Sequence, residues 1–465
     1  MNLEKKTKIV CTIGPATQSE EKLTQLLKAG MNVMRLNFSH GDFAEHQVKV
    51  DNLRKVMKKT GIPAAIMQDL SGPKFRIGDF YQERVTLKAG EFITLTTEKI
   101  VGNEKRVSVN YPTLHEEIEV GNIIMVDDGK KKFEVVEIKG TEIKCKIIIG
   151  GDTKGRRGLN LPRAKLKISA LTDKDKSDIA FGLKNKVDMV AFSFVRKPSD
   201  VIELREILDK AKSKAKIVAK IETPEAVEDF DAILDLVDVV MVARGDLGVE
   251  LGHEKVTPAQ RMMIEKANLA GKPVITATQM LESMIKSPFP TRAEVSDVSH
   301  AIYDGTDAVM LSEESALGEY PVEAVSMMAA IAREVESDEG FLESRNAMVL
   351  TGETEIDVLA ESAVEVAEGI EAKLIVALTD TGTTARAVAS LKPEMYTICA
   401  SASDLTLAQS AFSFGVYPFK VSSVKDSAIA IKEIKAGLTK DKTIAKGDKI
   451  VVVDEKALSL SIVTA

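Results

Sequence analysis

Short apolar runs separated by stretches of helical periodicity set the rhythm of most of this chain. Residues 9–13 (IVCTI), 33–37 (VMRLN) and 64–68 (AAIMQ) read as buried strands, being short and rich in apolar and β-branched side chains. Between the first two, residues 20–28 follow a helical pattern that stops ahead of Gly30, a C-cap position. After residues 72–73 (GP) the period changes to two. Residues 81–160 hold short alternating strands, such as 84–88 (RVTLK) and 132–138 (KFEVVEI), broken by turn pairs at 89–90, 128–129 and 139–140. From residue 177 the longer strand–helix rhythm returns, with apolar runs at 187–192, 217–221, 239–242, 273–277 and 308–312.

Three strands before the β insert and five after it predict a closed parallel (β/α)8 barrel, a TIM barrel, with the insert leaving after the third strand. A charged, apolar-poor stretch at 334–340 (EVESDEG) predicts a linker. Beyond it, runs at 373–378, 396–399 and 449–453 predict a C-terminal open α/β domain. The expected divisions are residues 1–72 and 165–338 for the barrel, 73–164 for the insert and 339–465 for the C-terminal domain.

Composition narrows the class. A chain of 465 residues exceeds one ordinary core, and 44% apolar with 29% charged residues suits a globular protein. The net charge of −7 argues against a nucleic-acid partner. Cys11, Cys145 and Cys399 have neither zinc spacing nor the pattern of a disulfide framework, which suits a reducing compartment. The opening MNLEKK lacks the apolar core of a signal peptide, and no run has the length of a membrane span. The expectation is a cytoplasmic protein without a membrane partner.

In a barrel of this kind, chemistry sits where strands end and the following loops begin. Lys220 and Glu222 end one apolar run with side chains on the same face, and Asp246 follows the next. Two readings stay open: a buried ion pair, or two carboxylates holding a divalent cation beside an ammonium. Polar residues close the other runs as well. They are Arg35, Asn37, Ser39 and His40; Asp69, Lys74 and Arg76; Ser193; Arg244; Thr278; and Ser312. Arg35, Arg76 and Lys220 offer fixed positive charge for phosphate or carboxylate. Thr278 and Ser312 offer hydroxyls for a proton relay. No Walker loop is present. Residues 150–158 (GGDTKGRRG), with Arg157, read either as a phosphate cradle or as a solvated hairpin tip.

Taken together, the segments 7–15 (TKIVCTIGP), 34–41 (MRLNFSHG), 220–222 (KIE), 241–248 (MVARGDLG), 277–284 (ATQMLESM) and 290–297 (PTRAEVSD) resemble pyruvate kinase, in that family's order along nearly the whole chain. The resemblance implies a barrel, a mobile small β-barrel lid and a regulatory C-terminal domain. The implied reaction is phosphoenolpyruvate plus ADP giving pyruvate plus ATP, in a homotetramer. By motif, Lys220 would neutralise the transferring phosphoryl group and Arg35 would contact phosphates. Glu222 and Asp246 would ligate Mg²⁺, or Mn²⁺ in its place. Ser193, Gly245 and Ala243, with Thr278, would hold the substrate, and Thr278 with Ser312 would serve enolate protonation. Asn37, His40, Arg76, Asp128 and Arg157 would face the nucleotide.

The chain departs from the family at informative points. Residues 69–76 read DLSGPKFR, with Lys74 where the commonest family form has glutamate. Members with that glutamate hold K⁺ nearby, at positions matching Asn37, Ser39, Asp69 and the Leu70 carbonyl. An ammonium at position 74 could supply that charge, so K⁺ is expected to be dispensable. Residues 312–316 read SEESA, which places Glu313 beside Ser312. In the C-terminal domain Thr379, Thr381, Gly382, Thr383 and Thr384 match the family's effector loop in outline and could bind a phosphate. The Trp- and Arg-bearing loop that completes a fructose 1,6-bisphosphate site in some relatives is missing, so control by that sugar is not expected. Two other function classes remain for comparison: a Mg²⁺-enolate aldolase or lyase, which needs no nucleotide-covering lid, and a non-catalytic metabolite sensor, which would not keep Lys220, Glu222, Asp246 and Thr278.

Overall fold

The computed structural model describes residues 3–164, 167–345 and 354–465. The expected start of the second barrel segment, residue 165, lies outside the described residues. Eight parallel strands close into a barrel: β1 (Lys8–Thr12), β2 (Val33–Asn37), β3 (Ala65–Asp69), β4 (Met189–Phe192), β5 (Lys216–Ile221), β6 (Val239–Ala243), β7 (Val274–Ala277) and β8 (Ala308–Leu311). Each pairs with the next, and β8 returns to β1 with Ala308 opposite Lys8.

Both faces of these strands are covered, which is why they read as continuous apolar runs rather than alternating ones. Val10, Met67, Val218, Met241, Ile275 and Met310 pack inside the barrel. Several helices of the outer ring start at side-chain caps. Ser19 caps Glu20–Ala29, Asp42 caps Phe43–Thr60, and Thr172 and Thr291 form capping boxes on Asp173–Lys184 and Arg292–Tyr303. The helix Glu20–Ala29 ends at Gly30, whose φ of 120° suits a residue without Cβ.

The insert holds a six-stranded sheet and a separate two-stranded pair around its own core, which includes Ile93, Leu95, Val107, Ile124, Phe133 and Ile143. Its longest strands, Lys131–Lys139 and Glu142–Ile149, alternate buried and accessible positions as period two requires. The C-terminal domain carries five strands, in the order Val416–Lys420, Tyr396–Ser401, Leu374–Leu378, Lys449–Asp454 and Ser459–Thr464, the last antiparallel. It plugs the barrel at the end opposite the strand-end polar residues: Ala411 and Phe412 join the interior cluster. Lys392 pairs there with Asp307 at 2.8 Å, both nearly fully buried. Breaking such a pair by deleting one partner costs about 3–5 kcal/mol.

One expectation is corrected. Residues 334–340 are not an extended linker: the helices Pro321–Glu336 and Glu339–Arg345 take up all but two of them. Val335 is buried, so the charges lie on the outer side of a helix end. Among the described residues, no helix is long and apolar enough to cross a membrane.

Candidate active site

Charges from β2, β3 and β5, with a hydroxyl from β4 between them, converge at one end of the barrel. Arg35, from β2, donates through Nε to Asp69 Oδ2 at 2.6 Å and through Nη1 to Thr12 Oγ1 at 2.8 Å. Lys220 Nζ, from β5, lies 3.3 Å from Asp69 Oδ1 and 2.9 Å from Glu222 Oε1, and donates to Ser193 Oγ at 2.6 Å. Ser193 Oγ donates in turn to the Leu70 carbonyl at 2.6 Å. Burial alone would raise the Asp69 carboxyl, but Lys220 and Arg35 outweigh it and hold Asp69 below the ordinary carboxylate range. Burial would likewise lower the Lys220 ammonium, but Asp69 and Glu222 outweigh it and keep Lys220 protonated.

Two carboxylates are left short of positive charge. Burial pushes the Glu222 carboxyl up to about 7, against the pull of Lys220, and neighbouring Asp246 adds to the rise. Glu222 Oε2 also accepts the Phe194 N–H at 2.7 Å, with Phe194 at a φ of 54°. Asp246 is open to solvent at the barrel mouth, yet the protein around it raises its carboxyl despite Lys220 and Lys74. Hard oxygens that repel each other suit a divalent cation. Among the described residues, no group of three or more His, Cys, Asp or Glu could enclose a metal. Two carboxylates with the remaining positions open is how Mg²⁺ is commonly held, the substrate's oxygens completing the shell.

The ends of β6, β7 and β8 are tied together through main-chain groups. Gly245 N–H donates to Thr278 Oγ1 at 2.8 Å. Thr278 has a φ of 72° and Gln279 a φ of 55°, uncommon values for a β-branched residue in particular. Arg244 holds this turn by donating to the Ala277 and Thr278 carbonyls at 3.2 and 2.7 Å, while pairing with Asp297 at 2.6 Å. Glu314 accepts from Ser312 N at 2.7 Å and from Leu281 N at 3.2 Å, bridging the loops that follow β8 and β7. Glu313 is exposed, in keeping with a solvated side chain.

The loop after β2 meets Lys74. Lys74 Nζ donates to Ser39 Oγ at 2.8 Å, and the Asn37 side-chain oxygen accepts Ser39 N–H at 3.0 Å. The surrounding protein and the nearby Lys220 lower the Lys74 ammonium below its ordinary range, while Asp246, Glu222 and Asp69 oppose the shift. His40 is also lowered, by burial and then by Lys74, Arg76 and Arg35. His46 anchors this loop from below. Its ring stacks on Phe38 at 4.0 Å, and Nε2 lies 3.0 Å from the His40 carbonyl. A carbonyl only accepts, so Nε2 carries the proton and the buried Nδ1 has no partner.

Burial, then Lys49, drops the His46 imidazole from 6.5 to about 4. The unfolded chain therefore binds more protons across that window. The stability this group contributes is full above pH 6.5 and is lost as pH falls toward 4. Over the window the native chain should lose roughly 1–3 kcal/mol more than a His46→Phe variant. Urea denaturation at the two ends of the window measures the difference.

Comparison with known proteins decides what this arrangement belongs to. The family model "Pyruvate kinase, barrel domain" matches residues 4–325, and "Pyruvate kinase, alpha/beta domain" matches residues 357–460. The chain is a member of the pyruvate kinase family. The pyruvate kinase of Clostridium acetobutylicum is 42% identical over 457 residues, covering 96% of this chain and 95% of its own. That of Staphylococcus aureus is 41% identical over 453 residues, covering 96% of this chain and 77% of its own length. A crystal structure of a pyruvate kinase from Cryptosporidium parvum superposes with a TM-score of 0.95 at 37% identity, covering 99% and 96% of the two chains. The protein is thus a kinase of glycolysis, and the barrel, β-rich insert and C-terminal α/β domain are that family's architecture.

Within this pyruvate kinase the remaining sequence candidates fall in three places. Arg76 is exposed where the insert begins, its main chain bridged to Gly158. Asp128 and Arg157 lie on the insert; Arg157 Nε is 3.5 Å from Asp127, and Asp128 is close enough to raise Asp246 further. The segment 150–158 is a strand and turn, with Gly151–Thr153 paired to Val85–Leu87. Thr379 to Thr384 lie in the C-terminal domain, away from the barrel mouth. Outside the sequence candidates stand Thr12, Phe194, Glu314 and the contact between Asn160 Nδ2 of the insert and Glu250 Oε1 of the barrel at 2.8 Å. Thr12 and Glu314 carry a sequence signal, standing inside the segments 7–15 and 312–316, while Phe194 acts through its backbone N–H and leaves none.

Proposed function

We propose that the barrel mouth transfers the phosphoryl group of phosphoenolpyruvate to ADP, with Lys220 as the fixed cation at the transferring group and Glu222 and Asp246 as the Mg²⁺ ligands. The observation that carries this reading is the buried Lys220 ammonium set between Ser193, Asp69 and Glu222, beside two carboxylates held above their ordinary range. Bound there, Mg²⁺ supplies charge neutralisation for phosphoryl oxygens. Arg35, fixed by Asp69 and Thr12, adds a guanidinium for phosphate without reorganising. The Ala243–Gly245 main chain and Thr278 hold the substrate carboxylate. Thr278 and Ser312 serve protonation of the enolate, directly or through water. Asn37, His40, Arg76, Asp128 and Arg157 contact the nucleotide, and the lid excludes water that would compete for the phosphoryl group.

The same reading assigns Lys74 the part that K⁺ plays in other members. Each group of the family's K⁺ pocket already has a partner here. Ser39 Oγ takes Lys74, the Asn37 side-chain oxygen takes Ser39 N–H, the Leu70 carbonyl takes Ser193, and Asp69 takes Arg35 and Lys220. The reading extends to domain limits at residues 1–72, 73–164, 165–338 and 339–465, and to a cytoplasmic homotetramer, on the family resemblance.

The test is ATP formation from phosphoenolpyruvate and ADP with Mg²⁺. Pyruvate released by carbon–carbon cleavage without nucleotide would instead place the chain among the enolate lyases. Asp246→Ala should raise the divalent-metal concentration for half-activation by about 10²-fold, since removing even an outer-shell partner costs 10–100-fold. Mn²⁺ titration followed by electron paramagnetic resonance checks this at the level of binding.

A further inference from the structure

The threonine loop of the C-terminal domain already holds an anion, and that anion belongs to the chain. Strand Leu374–Leu378 runs parallel to Lys449–Asp454 with Leu378 opposite Asp454, so the two strand ends lie side by side. The chain then turns, with Glu455 N–H donating to the Leu378 carbonyl at 3.1 Å and Asp454 accepting the Lys456 and Ala457 amides at 3.0 Å each. This fixes Glu455 over the loop that opens the helix Thr383–Ser390. Three hydroxyls converge on its carboxylate. Thr381 Oγ1 donates to Oε1 at 2.8 Å, Thr384 Oγ1 donates to Oε2 at 3.3 Å, and Thr379 Oγ1 makes a short bond to Oε2. Thr379 Oγ1 also accepts the Gly382 N–H at 2.7 Å and the Thr381 N–H at 3.2 Å, which locks the loop around the carboxylate.

Several hydroxyl donors aimed at one point make a cradle for a tetrahedral oxyanion, and a carboxylate satisfies the same donors. With Glu455 in place the donors are used, and a fixed negative charge stands where a phosphate dianion would enter. We propose that Glu455 is the resident ligand of this loop, an internal carboxylate in the position of a phosphate group, and that it excludes phosphate and phosphate monoesters from the C-terminal domain. This inference rests on the loop's donors and not on the catalytic reading, so its failure leaves the assignment of the barrel mouth untouched.

Calorimetric titration of the full chain with inorganic phosphate tests it. Phosphate also has access to the lysines and arginines of the barrel mouth in every variant, so the readout is the difference between proteins. Glu455→Ala should bind one more equivalent than the native chain, and a Glu455→Ala/Thr384→Val double variant should lose that gain. Glu455→Gln, which keeps the shape and removes the charge, should take up the added phosphate roughly tenfold or more tightly than any such event in the native chain. It serves in place of the alanine variant should the latter not fold. An unchanged stoichiometry in both single variants, or an extra phosphate bound by the native chain and lost on Thr384→Val, overturns the proposal.

Discussion

Replacing Lys220 with Met lowers kcat for ATP formation by roughly 10³- to 10⁵-fold, the range seen when a fixed cation is removed from a phosphoryl-transfer site. Lys220 Nζ is bound by Ser193 Oγ at 2.6 Å and by Glu222 and Asp69, so it cannot relax toward another partner. Its contribution grows as charge shifts between the two substrates, so kcat and kcat/KM should fall together while KM for phosphoenolpyruvate changes little. Methionine keeps the unbranched stem of the side chain up to the ammonium, and with it most of the packing. It leaves Asp69 paired with Arg35 at 2.6 Å, which limits the penalty of uncovering that buried carboxylate. Glu222 is more exposed to the loss, since Lys220 is its only ion-pair partner among the described residues. Steady-state kinetics, with circular dichroism to confirm the fold, separates lost chemistry from lost structure.

The second large effect concerns monovalent cations. Lys74→Glu should reduce activity by about 10²-fold or more when tetramethylammonium replaces K⁺, and K⁺ should restore most of it. The variant removes an ammonium that lies 2.8 Å from Ser39 Oγ and puts a carboxylate beside Asn37, Ser39 and Asp69. The native charge acts on Asp246, Glu222 and Asp69 from one side, and each of them pulls the Lys74 titration upward. With glutamate there, the site gains a negative charge and frees Ser39 to face an added cation. Lys74→Met separates the two effects. It removes the charge without adding its opposite, and should leave an enzyme slowed in tetramethylammonium and only partly rescued by K⁺.

Much of the barrel was legible in sequence, for a physical reason. Strands covered on both faces must be apolar throughout, and the polar residues displaced from them gather at the strand ends. The runs at 187–192, 217–221 and 239–242 accordingly fall on β4, β5 and β6 within about two residues. Edge strands broke the rule. Val416–Lys420 contains Pro418, which argues against a strand, and Ser459–Thr464 is mostly accessible and so lacks an apolar run. The stretch 334–340 misled because acidic residues on the outer side of a helix end resemble a linker in composition.

At the site, residue types and strand ends were readable, while partners were not. Arg35, Asp69 and Lys220 are far apart in sequence and meet only because β2, β3 and β5 belong to one closed barrel. Of the two open readings, the structure shows the ion pair, Lys220 with Glu222 and Asp69, and it sets a third carboxylate, Asp246, beside them, so that the metal reading of Glu222 and Asp246 stays a proposal. Glu455 could not be placed on the threonine loop without the parallel register of Leu378 and Asp454.

The most direct test of the whole account is the rate of ATP formation by the native chain from phosphoenolpyruvate, ADP and Mg²⁺, measured with K⁺ and again with tetramethylammonium in its place. A phosphoryl clamp that carries its own ammonium at Lys74 predicts rates that agree within about twofold. A rate that collapses without K⁺ would contradict the role given to Lys74, and no ATP under either condition would contradict the clamp itself.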